Sequence, residues 1–222
     1  MLELLPAILV ADALEFKEKL GILDGHAPVV QIDIMDGHFV AQTTFADPAE
    51  TARHNLKYEL HLMVEDPIAE LLKWKEVSGV VRVIVHAEIE KPLAPIIIYI
   101  KGRALEVGIA INPETSWEKI DALIPELDTV LVMTVHPGAA GQPFEDAVSH
   151  YHLLSKIYEL HEAHPTLVIS VDGGVSEKTA PFLIEAGATR FVVGSAMWKA
   201  KNPVEVLEKL EKIIQSHHNV SF

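Results

Sequence analysis

Two rhythms of apolar and polar positions alternate along this chain. Short β-rich runs recur at intervals of roughly 25 residues, and each leads into a segment with helical spacing, which is the pattern of repeated βα units. The eight runs are Ala7–Val10, Val29–Ile34, Tyr58–Val64, Val81–His86, Val107–Ile111, Thr129–Val135, Leu167–Val171 and Arg190–Val193. Several are almost continuously apolar, as parallel strands covered by helices must be. Asp47-Pro48, Asp66-Pro67 and Asn202-Pro203 each set a capping side chain before a proline suited to the first helical position. Val206, Leu207, Leu210, Ile213 and Ile214 form one stripe, which predicts a last helix packed on the sheet. After the fourth run, Pro92, Pro95 and Ile96-Ile97-Ile98 oppose a helix, so this segment could be extended. Eight such units predict a closed (βα)8 barrel, with an open doubly wound sheet as the alternative.

Composition narrows this picture. A chain of 222 residues that is 49% hydrophobic can bury a large core. With no Ser/Gly-rich or low-complexity stretch to act as a linker, residues 1–222 read as one domain. The absence of cysteine excludes disulfides, thiolate metal sites and a cysteine nucleophile, and leans towards a reducing, cytoplasmic setting. The apolar start from Met1 to Leu14 carries Glu3 and Asp12 and lacks a basic flank, so it reads as a first strand and not a leader. No run approaches the roughly 18 apolar residues of a membrane span. A formal charge of −14 argues against partners such as nucleic acid or an anionic membrane, both of which need clustered Lys and Arg. Any anionic ligand must therefore be held locally, by backbone amides and helix ends.

In a barrel of this kind, polar residues at the carboxyl ends of strands face the pocket. Gln31, Asp33 and Met35 alternate with Ile32 and Ile34, and Glu59, His61 and Met63 alternate with Leu60 and Leu62. Strand four ends in His86 and Glu88, and strand seven in Asp172. Such groups must pair, bind a cation or stay wet, and Asp33, His61 and Asp172 together make a cation site. Taken by itself, His61 would be a core histidine donating to a carboxylate such as Glu59. Gly173-Gly174 and Gly194-Ser195 follow the last two strands, where barrel phosphate sites form. The run His136-Pro-Gly138-Ala-Ala-Gly141-Gln142 is long and small enough to close over a ligand. Met35, Met63 and Met133, near three strand ends, are candidates for the pocket wall.

These runs make the chain resemble the ribulose-phosphate 3-epimerase family along nearly its whole length. The matching stretches are Pro6-Ala-Ile-Leu-Val-Ala-Asp12, Asp33-Ile-Met-Asp-Gly-His-Phe-Val40, His61-Leu-Met-Val64, His86-Ala-Glu88, Gly108-Ile-Ala-Ile-Asn-Pro113, Val130 to Val135 with Pro137-Gly138 and Gly141-Gln142, Val171-Asp-Gly-Gly174 and Gly194-Ser-Ala196. The resemblance implies a TIM barrel of the ribulose-phosphate-binding type that interconverts ribulose 5-phosphate and xylulose 5-phosphate with one divalent metal (Zn, Fe, Mn, Co or Mg). It also implies that Asp33 and Asp172 act as acid and base on opposite faces of the substrate and ligate the metal, with His61 as a further ligand. Gly174, Gly194 and Ser195 would bind phosphate, and residues 138 to 142 would fold over the substrate. Removing a weakly acidic proton from one face and returning one to the other needs two carboxyl groups, and a metal beside the carbonyl oxygen stabilises the enediolate between them. Barrels of the family commonly associate, so a homo-oligomer is expected.

Three positions depart from the family pattern. Gln31 stands where the family has a ligand histidine, and its amide oxygen would be the fourth donor, moving preference from zinc towards manganese or magnesium. Val10 replaces a serine, and Ala139-Ala140 replace Phe-Gly in the lid. The alternatives to pentulose epimerisation are an epimerase for another ketose phosphate, such as a hexulose 6-phosphate, and a non-catalytic phosphosugar-binding protein.

Overall fold

The computed structural model describes residues 2–138 and 152–218. Its centre is a closed barrel of eight parallel strands in the order in which they occur along the chain. The strands are β1 (Glu3–Ile8), β2 (Val29–Met35), β3 (Lys57–Met63), β4 (Val80–His86), β5 (Glu106–Ile111), β6 (Thr129–Met133), β7 (Val168–Asp172) and β8 (Arg190–Val193). Among the described residues the α-helices are α1 (Ala13–Leu23), α2 (Pro48–Thr51), α3 (Pro67–Lys73), α4 (Leu93–Lys101), α5 (Leu153–Ala163), α6 (Ala180–Glu185), α7 (Ser195–Trp198) and α8 (Pro203–His218). Among the described residues no helix is long and apolar enough to cross a membrane.

The period of two along each strand sorts the core into two parts. Ile32, Ile34, Leu60 and Leu62 pack outward with helix residues such as Phe16, Leu20 and Ile157, while Leu5, Ala7, Ile84, Ala110, Leu131 and Val192 fill the barrel. The helix starts follow the expected chemistry. Asp47 Oδ1 accepts from the Ala49 N–H at 2.8 Å, and Asp66 Oδ1 from the Ala69 N–H at 3.1 Å. In α8, Leu207, Leu210 and Ile214 are buried.

Three local expectations change. The first strand is Glu3–Ile8, not Ala7–Val10, because Glu3 is accommodated by an ion pair with Arg190 at 2.6 Å in a register that runs from Glu3↔Arg190 to Pro6↔Val193. The segment after β4 is helical: Pro92 and Pro95 sit at or within the first turn, where N–H groups lack intrahelical acceptors, and Ile96, Ile97 and Ile100 are buried against the barrel. Burial of those three side chains outweighs their poor propensity. After β5 the connection is two 3-10 helices, Trp117–Lys119 and Asp121–Glu126, the second containing Pro125.

The amino end of the barrel is closed by charge. Arg82 of β4 donates from Nη1 to Glu59 Oε2 and from Nε to Glu106 Oε2, each at 2.7 Å. Glu59 is fully buried and Arg82 only 5% exposed.

Candidate active site

Adjacent strands bring the polar residues of the inner face to one level, because β2 and β3 pair in register with Asp33 beside His61 and Gln31 beside Glu59. Asp172, the last residue of β7, reaches the same point. Gln31 Nε2 donates to Asp33 Oδ1 and to Asp172 Oδ2, both at 2.8 Å. His61 Nδ1 lies 3.1 Å from Asp33 Oδ1 and 3.6 Å from Asp172 Oδ2. The alternative pairing of His61 with Glu59 does not form; Glu59 is held by Arg82.

Burial and the neighbouring Asp33 carboxylate push the Asp172 carboxyl up to about 7. For His61, burial pulls the imidazole down, but Asp33, Asp172 and Glu59 outweigh it and the net shift is upward. Burial lowers His86 to about 4, so this ring is neutral near pH 7. Glu88 is partly buried, which would raise it, yet bonds from His86, the Asn112 N–H and Thr115 hold it below the usual carboxylate range.

Above this group opens a cavity of about 280 Å³. Asp33, His61 and Asp172 lie on its floor, and Met35, Met63 and Met133 on its wall. Gly138, Gly173, Gly174, Gly194 and Ser195 line the mouth. Gly173 and Gly174 have φ of +105° and +60°, and a Cβ on Gly173 would stand 2.4 Å from Thr134 Oγ1, so this turn excludes side chains where the backbone must come close to a ligand. Gly141 and Gln142, like Ala139 and Ala140, lie outside the described residues.

The sequence did not point to Lys19, Trp198 or Lys199, which also border the cavity. The Trp198 indole N–H donates to the Ala7 carbonyl at 2.7 Å, and Lys19 Nζ lies 4.7 Å from the indole centroid. Trp198 could have been found from its place three residues after Ser195. Lys19, on the outer helix α1, carries no such signal.

The donor set fits a divalent cation. Asp33, His61 and Asp172 each offer one atom, all within 4.8 Å of one another. Gln31 would become a fourth donor only by turning its amide over, since its Oε1 is buried without a hydrogen-bond partner while its Nε2 is held by the aspartates. The orientation differs from the expected one: the Gln31 amide nitrogen, not its oxygen, faces the aspartates, because two carboxylates this close require a donor between them.

A (βα)8 barrel whose carboxyl end joins two carboxylates and an imidazole beneath a glycine-lined mouth has the arrangement of a barrel enzyme. The comparisons make the class specific. A model of the ribulose-phosphate 3-epimerase family matches residues 3–198. The chain is 36% identical over 207 residues to the ribulose-phosphate 3-epimerase of Bacillus subtilis (strain 168), covering 89% of this chain and 93% of that one. It is 34% identical over 210 residues to the enzyme of the same name from Chlamydia trachomatis serovar D, covering 92% and 89%. Among solved structures, 3-hexulose-6-phosphate synthase from Salmonella typhimurium shares the fold, with a TM-score of 0.69 at 16% identity over 97% of this chain and 100% of that one. The chain belongs to the ribulose-phosphate 3-epimerase family, a family of isomerases.

Proposed function

We propose that this chain interconverts ribulose 5-phosphate and xylulose 5-phosphate, with Asp33 and Asp172 as its acid–base pair. The observation that carries this reading is the convergence of the two carboxylates, from β2 and β7, on one point of the cavity floor. One aspartate, ionised, takes the proton from the carbon beside the ketone, and the C–H electron pair moves towards the carbonyl oxygen. The other, in its acid form, returns a proton to the opposite face. The two side chains exchange protonation states, and no net proton is consumed. An Asp172 carboxyl raised to about 7 can hold a proton at neutral pH, as the acid member of the pair must.

Asp33, His61 and Asp172 would hold the divalent cation, with Gln31 beside them. When bound, it supplies positive charge next to the carbonyl oxygen. The phosphate fits the mouth, where the backbone of Gly173, Gly174 and Gly194 and the Ser195 side chain are accessible from the cavity.

In deuterated water with added divalent metal, deuterium is expected to enter ribulose 5-phosphate at the carbon beside the ketone as xylulose 5-phosphate forms. Absence of both exchange and turnover with zinc, manganese, cobalt and magnesium would sink the reading. Exchange only with a hexulose 6-phosphate would move the substrate to that class, and binding without exchange would make the protein a binder. Gln31→His adds an imidazole beside the triad, so zinc should bind at least ~10-fold more tightly, about 1.4 kcal/mol, in a competition titration against a chromophoric chelator.

A further inference from the structure

Beside the site, the buried His86 and the partly buried Glu88 have no part in the proton transfer described above. His86 and Glu88 are joined to His61 in a single line of contacts. His61 Nε2 stands 2.9 Å from His86 Nε2, and His86 Nδ1 stands 3.2 Å from Glu88 Oε2. The other Glu88 oxygen accepts from the Asn112 N–H at 2.9 Å, so the carboxylate is anchored on the far side. The two imidazole planes are 20° apart with centroids separated by 5.1 Å. With 2.9 Å between the two nitrogens, that is the geometry of an in-plane N–H···N bond. The Phe39 ring lies against His86, centroid to centroid 4.9 Å.

The hydrogens along this line can be assigned one by one. An ionised carboxylate only accepts, so His86 Nδ1 carries a hydrogen. A neutral His86 then has a bare Nε2, which also only accepts. The bond between the rings therefore requires the hydrogen on His61 Nε2. On its other side His61 Nδ1 gives a hydrogen to Asp33 Oδ1 at 3.1 Å and faces Asp172. A cation would take the place of that hydrogen, and because the bond between the rings keeps the other hydrogen on Nε2, it is the Nδ1 lone pair that the cation would meet.

We propose that Glu88 and His86 are positioning residues that fix the tautomer of His61, so that its Nδ1 lone pair is presented to a divalent cation shared with Asp33 and Asp172. The proposal rests on the reading of that triad as a cation site. Groups that donate to or accept from the far nitrogen of a ligand histidine typically change metal affinity 10- to 100-fold. A glutamine at position 88 removes the constraint at its source, because an amide can either donate or accept and allows the whole line to reverse.

The test is zinc affinity of the full-length protein by competition titration, together with 15N NMR of its histidine rings with and without zinc. In the wild type, zinc should shift His61 Nδ1 while Nε2 keeps its hydrogen. Glu88→Gln should raise the zinc Kd by about 10- to 100-fold, with a population of His61 hydrogenated at Nδ1. His86→Gln sets against His61 Nε2 an amide that can likewise donate or accept and should weaken zinc in the same direction; an affinity unchanged in this variant overturns the part assigned to His86. A wild type that binds no zinc overturns the cation-site reading and this proposal with it. A wild type that binds zinc with an affinity unchanged in Glu88→Gln overturns the proposal alone. Should Glu88→Gln not fold, the wild-type spectrum decides, and zinc on His61 Nε2 overturns the proposal.

Discussion

Asp172→Asn and Asp33→Asn should each lower the rate of epimerisation by about 10²- to 10⁴-fold, the range that positioned acid–base groups contribute, while leaving the barrel folded. The pattern of isotope exchange should distinguish this from a general loss of structure. Each variant keeps one carboxylate, so each should still wash deuterium from solvent into one of the two epimers, and the two variants should label opposite ones. Loss of exchange from both epimers in both variants would show that the carboxylates do not divide the two faces between them.

Stability gives an independent check, and its sign follows from the shifted carboxyl. The folded protein holds the Asp172 proton more tightly than the unfolded chain, since the group moves from 3.8 to about 7. Its contribution is therefore fully present below about pH 4 and is lost as pH rises through 7. Asp172→Asn removes that slope and the repulsion with Asp33, and Gln31 Nε2 can still donate to the new amide oxygen. The variant should be at least as stable as wild type above pH 7 in urea titrations. A catalytic loss with no loss of stability is what an acid–base role predicts.

Arg82→Leu should destabilise the protein by about 3–5 kcal/mol, because it leaves the Glu59 carboxylate buried without its cation. Glu59 is fully buried, and its Oε2 receives the Arg82 Nη1 hydrogen bond at 2.7 Å. In a chain of this size the loss corresponds to a fall in Tm of roughly 10 °C. Glu59→Met in the Arg82→Leu background should recover most of it, since the uncompensated charge is gone. If the double variant is no more stable than the single one, the cost lies in lost packing and not in the charge.

Much of the site is legible along the chain because strand geometry is simple. Alternation by two assigns Gln31, Asp33 and Met35 to one face and Ile32 and Ile34 to the other, and the barrel converts the polar face into the inside. Asp172 and the glycine pairs could be placed by position alone, at the ends of β7 and β8. Pairing could not be read this way. His61 has Glu59 two residues away on its own strand face, yet it bonds to residues of β2 and β4, and Glu59 bonds to Arg82. Glu59 and His61 sit in different layers of the barrel, and cross-strand neighbours are nearer than i, i+2 ones.

By itself, then, the sequence determined the eight-fold alternation, the inward-facing carboxylates and the glycine-rich turns after β7 and β8. Periodicity and residue chemistry are local properties, and they are written in the order of the chain. The tertiary structure decided the helix at Leu93–Lys101, the orientation of the Gln31 amide between two aspartates, the Lys19–Trp198 contact and the line from His61 to Glu88. Each depends on barrel closure, which sets side chains from distant segments within hydrogen-bond or packing distance, and there burial makes every unpaired polar atom costly enough to choose its partner.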